Sequence, residues 1–215
     1  MSSIRLLAAC LSLTAALSAS ADIPSTDRKQ MLEEANLLLL PRARSIPEIT
    51  LTDLQGEPYG THEMQGHWSL LFFGFTFCPD VCPTTLSDMR RLFDAMSAEE
   101  RKQLRLVFVT ADPARDTPER LATYLHYFDE GFEGLTGEME HLQALSKATG
   151  LPFLPPDTRE EGYSVTHSAN MALIGPDGAL RGIVKAPFDI KALERWLPRV
   201  LNDGGEGQSS VSART

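Results

Sequence analysis

Two cysteines, Cys78 and Cys82, stand in the stretch Leu70-Leu-Phe-Phe-Gly-Phe-Thr-Phe-Cys-Pro-Asp-Val-Cys-Pro83, between an apolar run and a proline-led segment of helical composition. The chain holds three cysteines, and the third, Cys10, lies in an apolar N-terminal stretch that reads as an export signal. In a mature chain Cys78 and Cys82 are then the only thiols, and thiolates carry soft-metal and redox chemistry. The spacing is C-x3-C, one residue longer than the C-x-x-C of thioredoxin-type dithiols. A disulfide across so small a loop constrains little of the unfolded chain, so a purely structural staple explains the pair poorly. Two sulfurs are too few for a structural zinc site, which takes four ligands. They suit Cu(I), a soft ion content with few thiolate ligands.

A histidine would complete a three-ligand set able to hold Cu(II) as well, and the sequence offers five. His62 and His67 lie in a polar lead into the apolar run, and His126 and His141 on amphipathic helical stretches, where solvated or locally paired imidazoles are expected. His167, in Tyr163-Ser-Val-Thr-His-Ser168, ends a long polar segment just before another apolar run. Loops at a sheet edge are where sites are built, so position favours His167, slightly, over the others. Each cysteine precedes a proline, which disfavours helical backbone at the residue before it. The expectation is therefore a loop carrying Cys78, with Cys82 as helix cap and Pro83 as the first helical residue. The free N–H groups and dipole of such a helix end would stabilise a thiolate. Asp80 reads as a water-facing loop carboxylate. Asp112, Arg115 and Asp116 read as structural, with Asp-Pro shaping a turn and Arg115 pairing with Asp116 near a helix start.

The elements that must position these residues follow from the apolar pattern. Strands are expected at 49–52, 69–75, 104–110, 170–174 and 180–184, the last two joined as a hairpin by Gly175-Pro-Asp-Gly178. The run 69–75 is apolar almost throughout, as in a strand buried on both faces. Helices are expected at 83–96, from Thr117-Pro118 through a stripe of Leu121, Tyr124, Leu125 and Phe128, at 138–149 and at 189–201. Residues 27–40 have helical composition ending at Pro41, and the four leucines at 37–40 need a docking surface. Strands alternating with helices imply an α/β fold with a central mixed sheet covered on both faces. The C-x3-C beside a βαβ pattern occupies the place of a thioredoxin-type dithiol.

Length and charge bound the rest. The 215 residues are 42% hydrophobic and carry a net charge of -9, too acidic for a nucleic-acid binder, which needs a basic footprint. Arg5, the apolar residues 6–17 and Ala19-Ser-Ala21 form a signal-peptide pattern. The apolar run falls short of the roughly 20 residues of a spanning helix, leaving an uncleaved anchor as the lesser alternative. The expected organisation is thus a signal peptide or anchor at 1–21, a lead-in at 22–45, a thioredoxin-like domain at 46–201 and a flexible tail at 202–215, in a periplasmic protein that is free or tethered to the inner membrane.

Phe73-Gly-Phe-Thr-Phe-Cys-Pro-Asp-Val-Cys-Pro-Thr-Thr-Leu86 resembles the signature of the Sco/SenC family of copper-binding cytochrome c oxidase assembly proteins. Asp112-Pro-Ala-Arg-Asp-Thr-Pro118, and Val165-Thr-His-Ser168 followed by Gly175-Pro-Asp-Gly178, fit the same family, in the same order. The resemblance implies a thioredoxin-like fold and one copper, Cu(I) or Cu(II), held by Cys78, Cys82 and His167. It also implies a role in assembling the Cu(A) centre of cytochrome c oxidase, with the oxidase subunit carrying Cu(A) and other copper donors or thiol reductants as partners. Two departures stand out: a Pro-rich 151–157 where the family often has aromatic and basic residues, and Thr166 where it commonly has Asp. Two functions remain open, a copper metallochaperone and a thiol–disulfide oxidoreductase in which Cys78 and Cys82 are catalytic. The latter fits less well, because C-x3-C replaces C-x-x-C and no proline stands just before Asn170. A thiol peroxidase is disfavoured, since Phe75-Thr-Phe-Cys78 does not match a Thr/Ser-x-x-Cys motif.

Overall fold

The computed structural model describes residues 23–159 and 162–203. The expected signal peptide, Cys10 and residues 204–215 of the expected tail lie outside the described residues. In chain order the elements are α1 (Ser25–Ala35), β1 (Leu37–Arg44), β2 (Thr50–Thr52), β3 (Pro58–Gly60), β4 (Trp68–Gly74), α2 (Val81–Ala95), α3 (Ala98–Gln103), β5 (Leu104–Thr110), α4 (Pro118–His126), β6 (Glu133–Leu135), α5 (Met139–Thr149), β7 (Met171–Ile174), β8 (Leu180–Val184) and α6 (Ile190–Asp203).

A six-stranded sheet has the order β1-β8-β7-β4-β5-β6, and β2 and β3 form a separate hairpin. The β4–β5 and β5–β6 pairs are parallel, while β4–β7, β7–β8 and β8–β1 are antiparallel, so the sheet is mixed. All seven residues of β4 are buried. Successive side chains of a strand point to opposite faces, so both faces of β4 are covered. Phe72 meets Phe108 of β5, which in turn meets Tyr124 of α4. Phe73, on the other face, stacks on Phe153 from the segment after α5, with ring centroids 5.4 Å apart. The tryptophans fasten α6: the Trp68 indole N–H donates to the carbonyl of Leu201, and that of Trp196 to Glu34 of α1.

The lead-in differs from its reading. The helix stops at Ala35, where Asn36 takes the left-handed conformation (φ 53°) as a cap. The leucines that follow form the edge strand β1, with Leu37 facing Val184 and Leu38 facing Ile183. Docking of that apolar block on an open sheet edge outweighs the helical propensity of leucine. Pro41 is tolerated because β1 is an edge strand. The short strand β6, containing Gly134, carried too weak an apolar signal to be read in advance. At the other end α6 continues two residues beyond 201, so 202 and 203 are helical. Among the described residues no helix is long and apolar enough to cross a membrane.

Candidate metal centre

The topology brings three distant segments to one end of the sheet. β4 and β7 are antiparallel neighbours, with Leu71 opposite Ala172, so the loop that leaves β4 lies beside the loop that enters β7. β5 runs parallel to β4, with Gly74 opposite Thr110, and the Ala111 N–H donates to the Gly74 carbonyl at 2.7 Å. Residues 75–80, 111–117 and the stretch before β7 therefore meet. They carry, in turn, Cys78 with Cys82 just beyond it in the first turn of α2, the Asp112–Asp116 block and His167.

Cys78 is half-buried and Cys82 fully buried, and both are free thiols. The helix does not begin at Pro83. It begins at Val81 with Asp80 as N-cap, and Cys82 sits inside the first turn. Pro83 is accepted there because the first-turn N–H groups have no acceptor within the helix, so a proline loses nothing. The Cys82 N–H points at Cys78 Sγ, 3.4 Å away, so the first sulfur takes one of the donors that the helix end leaves free. Asp80 is exposed, as expected. Cys82 departs from the expected stabilised thiolate: burial pushes its thiol well above the ordinary cysteine range, and the hydrogen bond to Phe75 only partly opposes this. Desolvation outweighs the helix end at this position.

His167 lies 85 residues further along the chain, and its Nε2 is 3.5 Å from Cys82 Sγ. Its Nδ1 is 3.0 Å from the Ser168 carbonyl. A carbonyl only accepts, so Nδ1 carries the proton and Nε2 offers its lone pair toward the sulfurs. Burial lowers the imidazole pKa, with the Ser168 contact acting the other way, which keeps the ring neutral and able to ligate. Phe72 and Phe75 meet the ring edge-on, at centroid distances of 5.7 and 5.9 Å. The backbone around it is pinned to the Pro-rich 151–157 segment: Leu154 N–H donates to the Thr166 carbonyl at 2.8 Å, and Ser168 N–H to that of Pro152 at 2.9 Å. The ligand atoms of Cys78, Cys82 and His167 all lie within 4.8 Å of one another. The other histidines are elsewhere: His62 pairs with Glu48, His67 with Arg105 and His141 with the Thr50 carbonyl, and His126 is exposed.

The Asp112–Asp116 block does more than shape a turn. Arg115 pairs with Asp112, not with Asp116 as expected. Asp116, fully buried, accepts from the Thr76 hydroxyl at 2.6 Å, the Thr76 N–H at 3.0 Å and the Thr110 hydroxyl at 2.7 Å. It clamps the cysteine loop to the end of β5. Burial raises the Asp116 pKa against the pull of those hydrogen bonds. Gly74 is a further part of the site that was not read from sequence. A Cβ there would stand 2.7 Å from the Phe108 ring and 2.9 Å from Cys82 Sγ. The available signal was a glycine inside an otherwise apolar strand, which marks close approach of a neighbour. Thr76 carried no such signal.

The sequence model of the SCO1/SenC family matches residues 40–202. A Stutzerimonas stutzeri protein named as copper-binding is 58% identical over 177 residues, covering 82% of this chain and 87% of that protein. The mitochondrial SCO1 homolog of Mus musculus is 39% identical over 131 residues, 60% of this chain and 46% of that protein, so the chain spans just under half of the mouse relative. Among solved structures, yeast Sco1 with copper bound superposes with a TM-score of 0.68 at 28% identity, covering 79% of this chain and 92% of the yeast one. These likenesses agree with the thioredoxin-like α/β fold described above. Matched along three quarters of its length, with the cysteine and histidine blocks inside the match, the chain belongs to the SCO1/SenC family.

Proposed function

We propose that this protein binds one copper ion through Cys78, Cys82 and His167 and delivers it during assembly of the Cu(A) centre of cytochrome c oxidase. The observation that carries this reading is the convergence of two sulfurs and one imidazole nitrogen within 4.8 Å. Two thiolates suit Cu(I), and the added nitrogen extends the set to Cu(II). The copper-bound yeast relative and the Stutzerimonas relative's name as a copper-binding protein support copper as the cargo. The oxidase as destination rests on the family, in which a relative of the same fold is described as a cytochrome c oxidase assembly protein.

A third donor supports metal delivery: disulfide exchange needs only the two sulfurs, and His167 Nε2 stands 3.5 Å from Cys82 Sγ. An attacking thiol works as a thiolate, which enzymes favour by lowering its pKa. Burial raises Cys82, so in an exchange reaction the attacking thiol would be the more exposed Cys78. Copper binding at Cys82 must displace the thiol proton, so affinity rises with pH and the ion is held reversibly. Three exposed apolar side chains ring the site: Phe77 (46% exposed) precedes Cys78, Val81 (42%) precedes Cys82 and Leu154 (65%) bonds to the histidine loop. Such a rim suits a protein partner that docks over the ligands and takes the ion by stepwise ligand exchange. The export signal read at 1–21 supports the periplasm as the place of exchange, with a tether to the inner membrane if that segment is retained.

The test is anaerobic titration of the reduced protein with Cu(I), followed by X-ray absorption. One equivalent with two sulfur ligands and one nitrogen ligand is expected. Binding of copper without nitrogen, or tight binding to Cys78→Ser, overturns the ligand set.

A further inference from the structure

One cluster beside the site is not accounted for by the ligands themselves. The Arg115 guanidinium carbon lies 3.6 Å from the ring centroid of Tyr163 and 4.6 Å from that of Phe77. Arg120 lies over Phe77 at 4.1 Å, and its Nε donates to Thr76 Oγ1 at 3.0 Å. Phe77 is the residue before Cys78. Tyr163 is in the loop that leads to His167, and its hydroxyl donates to Asp112 at 2.8 Å. Asp112, fully buried, also receives the Arg115 Nε–H. The group thus runs from the histidine loop through one guanidinium to the cysteine loop. Arg115 Nη2 is buried and meets no acceptor among the described residues. A guanidinium serving only to neutralise Asp112 would lose nothing by turning that nitrogen to water. Lying against the rings of Tyr163 and Phe77, with that of Phe75 at 5.8 Å, explains why it does not.

We propose that Arg115 is a positioning residue that ties the histidine loop to the cysteine loop, through its stacking between Tyr163 and Phe77, and so decides whether His167 is presented to the metal. The inference rests on the ligand set proposed above. Its consequence is selectivity between copper states. Cu(I) is held chiefly by the two sulfurs with the nitrogen as a weaker third ligand, whereas Cu(II) depends on the nitrogen, so loosening the tie costs Cu(II) far more than Cu(I).

The test uses Arg115→Lys, which keeps the charge beside Asp112 but loses the planar stack, and Tyr163→Leu, which breaks the stack from the other side and leaves the ion pair in place. Tyr163→Phe, which removes only the hydroxyl bond to Asp112, is the control expected to leave both readouts near the parent. In copper-free protein, amide hydrogen exchange at Leu154 and Ser168 reports the histidine loop. Arg115→Lys and Tyr163→Leu are both expected to speed it about tenfold, the scale of one desolvated cation–π contact, with β4 amides unchanged. Cu(II) affinity is expected to fall by about 10–100-fold, as for other groups that orient a ligand. That loss is expected to vanish when either variant is combined with His167→Ala. Unchanged exchange at both amides overturns the proposal, and so does a copper loss of the same size in the His167→Ala background. If His167→Ala alone leaves copper binding intact, the ligand set fails, and the exchange rates still decide whether Arg115 holds the loop.

Discussion

The two halves of the site are built differently. The cysteine half rests on regular structure: β4 is buried along its whole length, α2 starts two residues before Pro83, and Gly74 leaves just enough room for Cys82 Sγ. The histidine half is a loop held by two backbone hydrogen bonds, a stacked ring and the Arg115 cluster. Sulfurs fixed by strand and helix are pre-oriented, and the imidazole is supplied by a segment with fewer constraints. In the proposed role this asymmetry helps, because the less constrained ligand is the one an incoming partner can replace first.

Deleting one ligand from each half tests that difference most severely. Cys82→Ser is expected to abolish retention of either copper state through desalting, since a hydroxyl is a poor ligand for a soft ion. His167→Ala is expected to weaken Cu(II) severely, to an affinity still measurable, and Cu(I) much less, both read by competition with chelators. Equal losses of both states in the two variants would break the comparison. Gly74→Ala comes next. Its methyl group must push aside the Phe108 ring or Cys82 Sγ, at a cost of about 1–3 kcal/mol for overpacking. A lower midpoint of thermal unfolding together with weakened Cu(I) binding is expected, and a variant as stable and tight as the parent would show that the cysteine half yields as readily as the loop. Smaller again is the effect on the rim. Val81→Asp and Leu154→Asp should leave copper affinity unchanged and slow transfer to an oxidase Cu(A) domain several-fold, read by stopped-flow. Slowing by Val81→Asp alone would assign docking to the cysteine half.

How much of this could be read from the sequence follows the same division. β5 and the start of α4 carry their own signals: a dense apolar run, and a threonine cap whose hydroxyl accepts from the Arg120 N–H with Pro118 behind it. The cysteine pair announces itself by residue type. By contrast, His167 was barely separable from four other histidines by position, because what selects it is the antiparallel pairing of β4 with β7, a tertiary fact. The family resemblance, not spacing, singled it out. Leu37 to Leu40 misled because leucine favours helix locally and edge pairing only where a sheet edge exists. The partner of Arg115 misled for a related reason. Its neighbour Asp116 is taken by Thr76, forty positions earlier in the chain, and no local pattern encodes that. Cys82 is the instructive failure: the helix end was foreseen, and the burial that outweighs it was not.

The stability of the copper-free protein against pH gives the smallest effect and the most direct separation of the two halves. Burial lowers the His167 pKa in the folded state, whereas the unfolded residue titrates near 6.5. As pH falls below about 6.5, the unfolded chain takes up a proton that the folded chain resists, so stability is lost on the acid side. Burial raises Cys82, and the unfolded thiol ionises near 8.5. As pH rises above about 8.5 the unfolded chain loses a proton that the folded one keeps, so stability is lost on the alkaline side. Tyr59 and Tyr124, also pushed up by burial, add to that loss only above about 10, where free tyrosine ionises, and a window remains for the cysteine. His62 is raised by Glu48 and has the opposite sign from His167: its contribution is present at low pH and is lost as pH climbs. Urea unfolding across pH 5 to 10 should therefore show the acid limb flattened in His167→Ala and steepened in His62→Ala, with the alkaline limb between about 8.5 and 10 flattened only in Cys82→Ser. Glu119 and Asp157 are held low by their hydrogen bonds and cost stability only as pH approaches about 4, near the free carboxylate range. A limb between about pH 6.5 and about pH 5.5 that survives His167→Ala would therefore mean that the imidazole is not desolvated among the rings of Phe72 and Phe75, and the histidine half would then be looser than its hydrogen bonds imply.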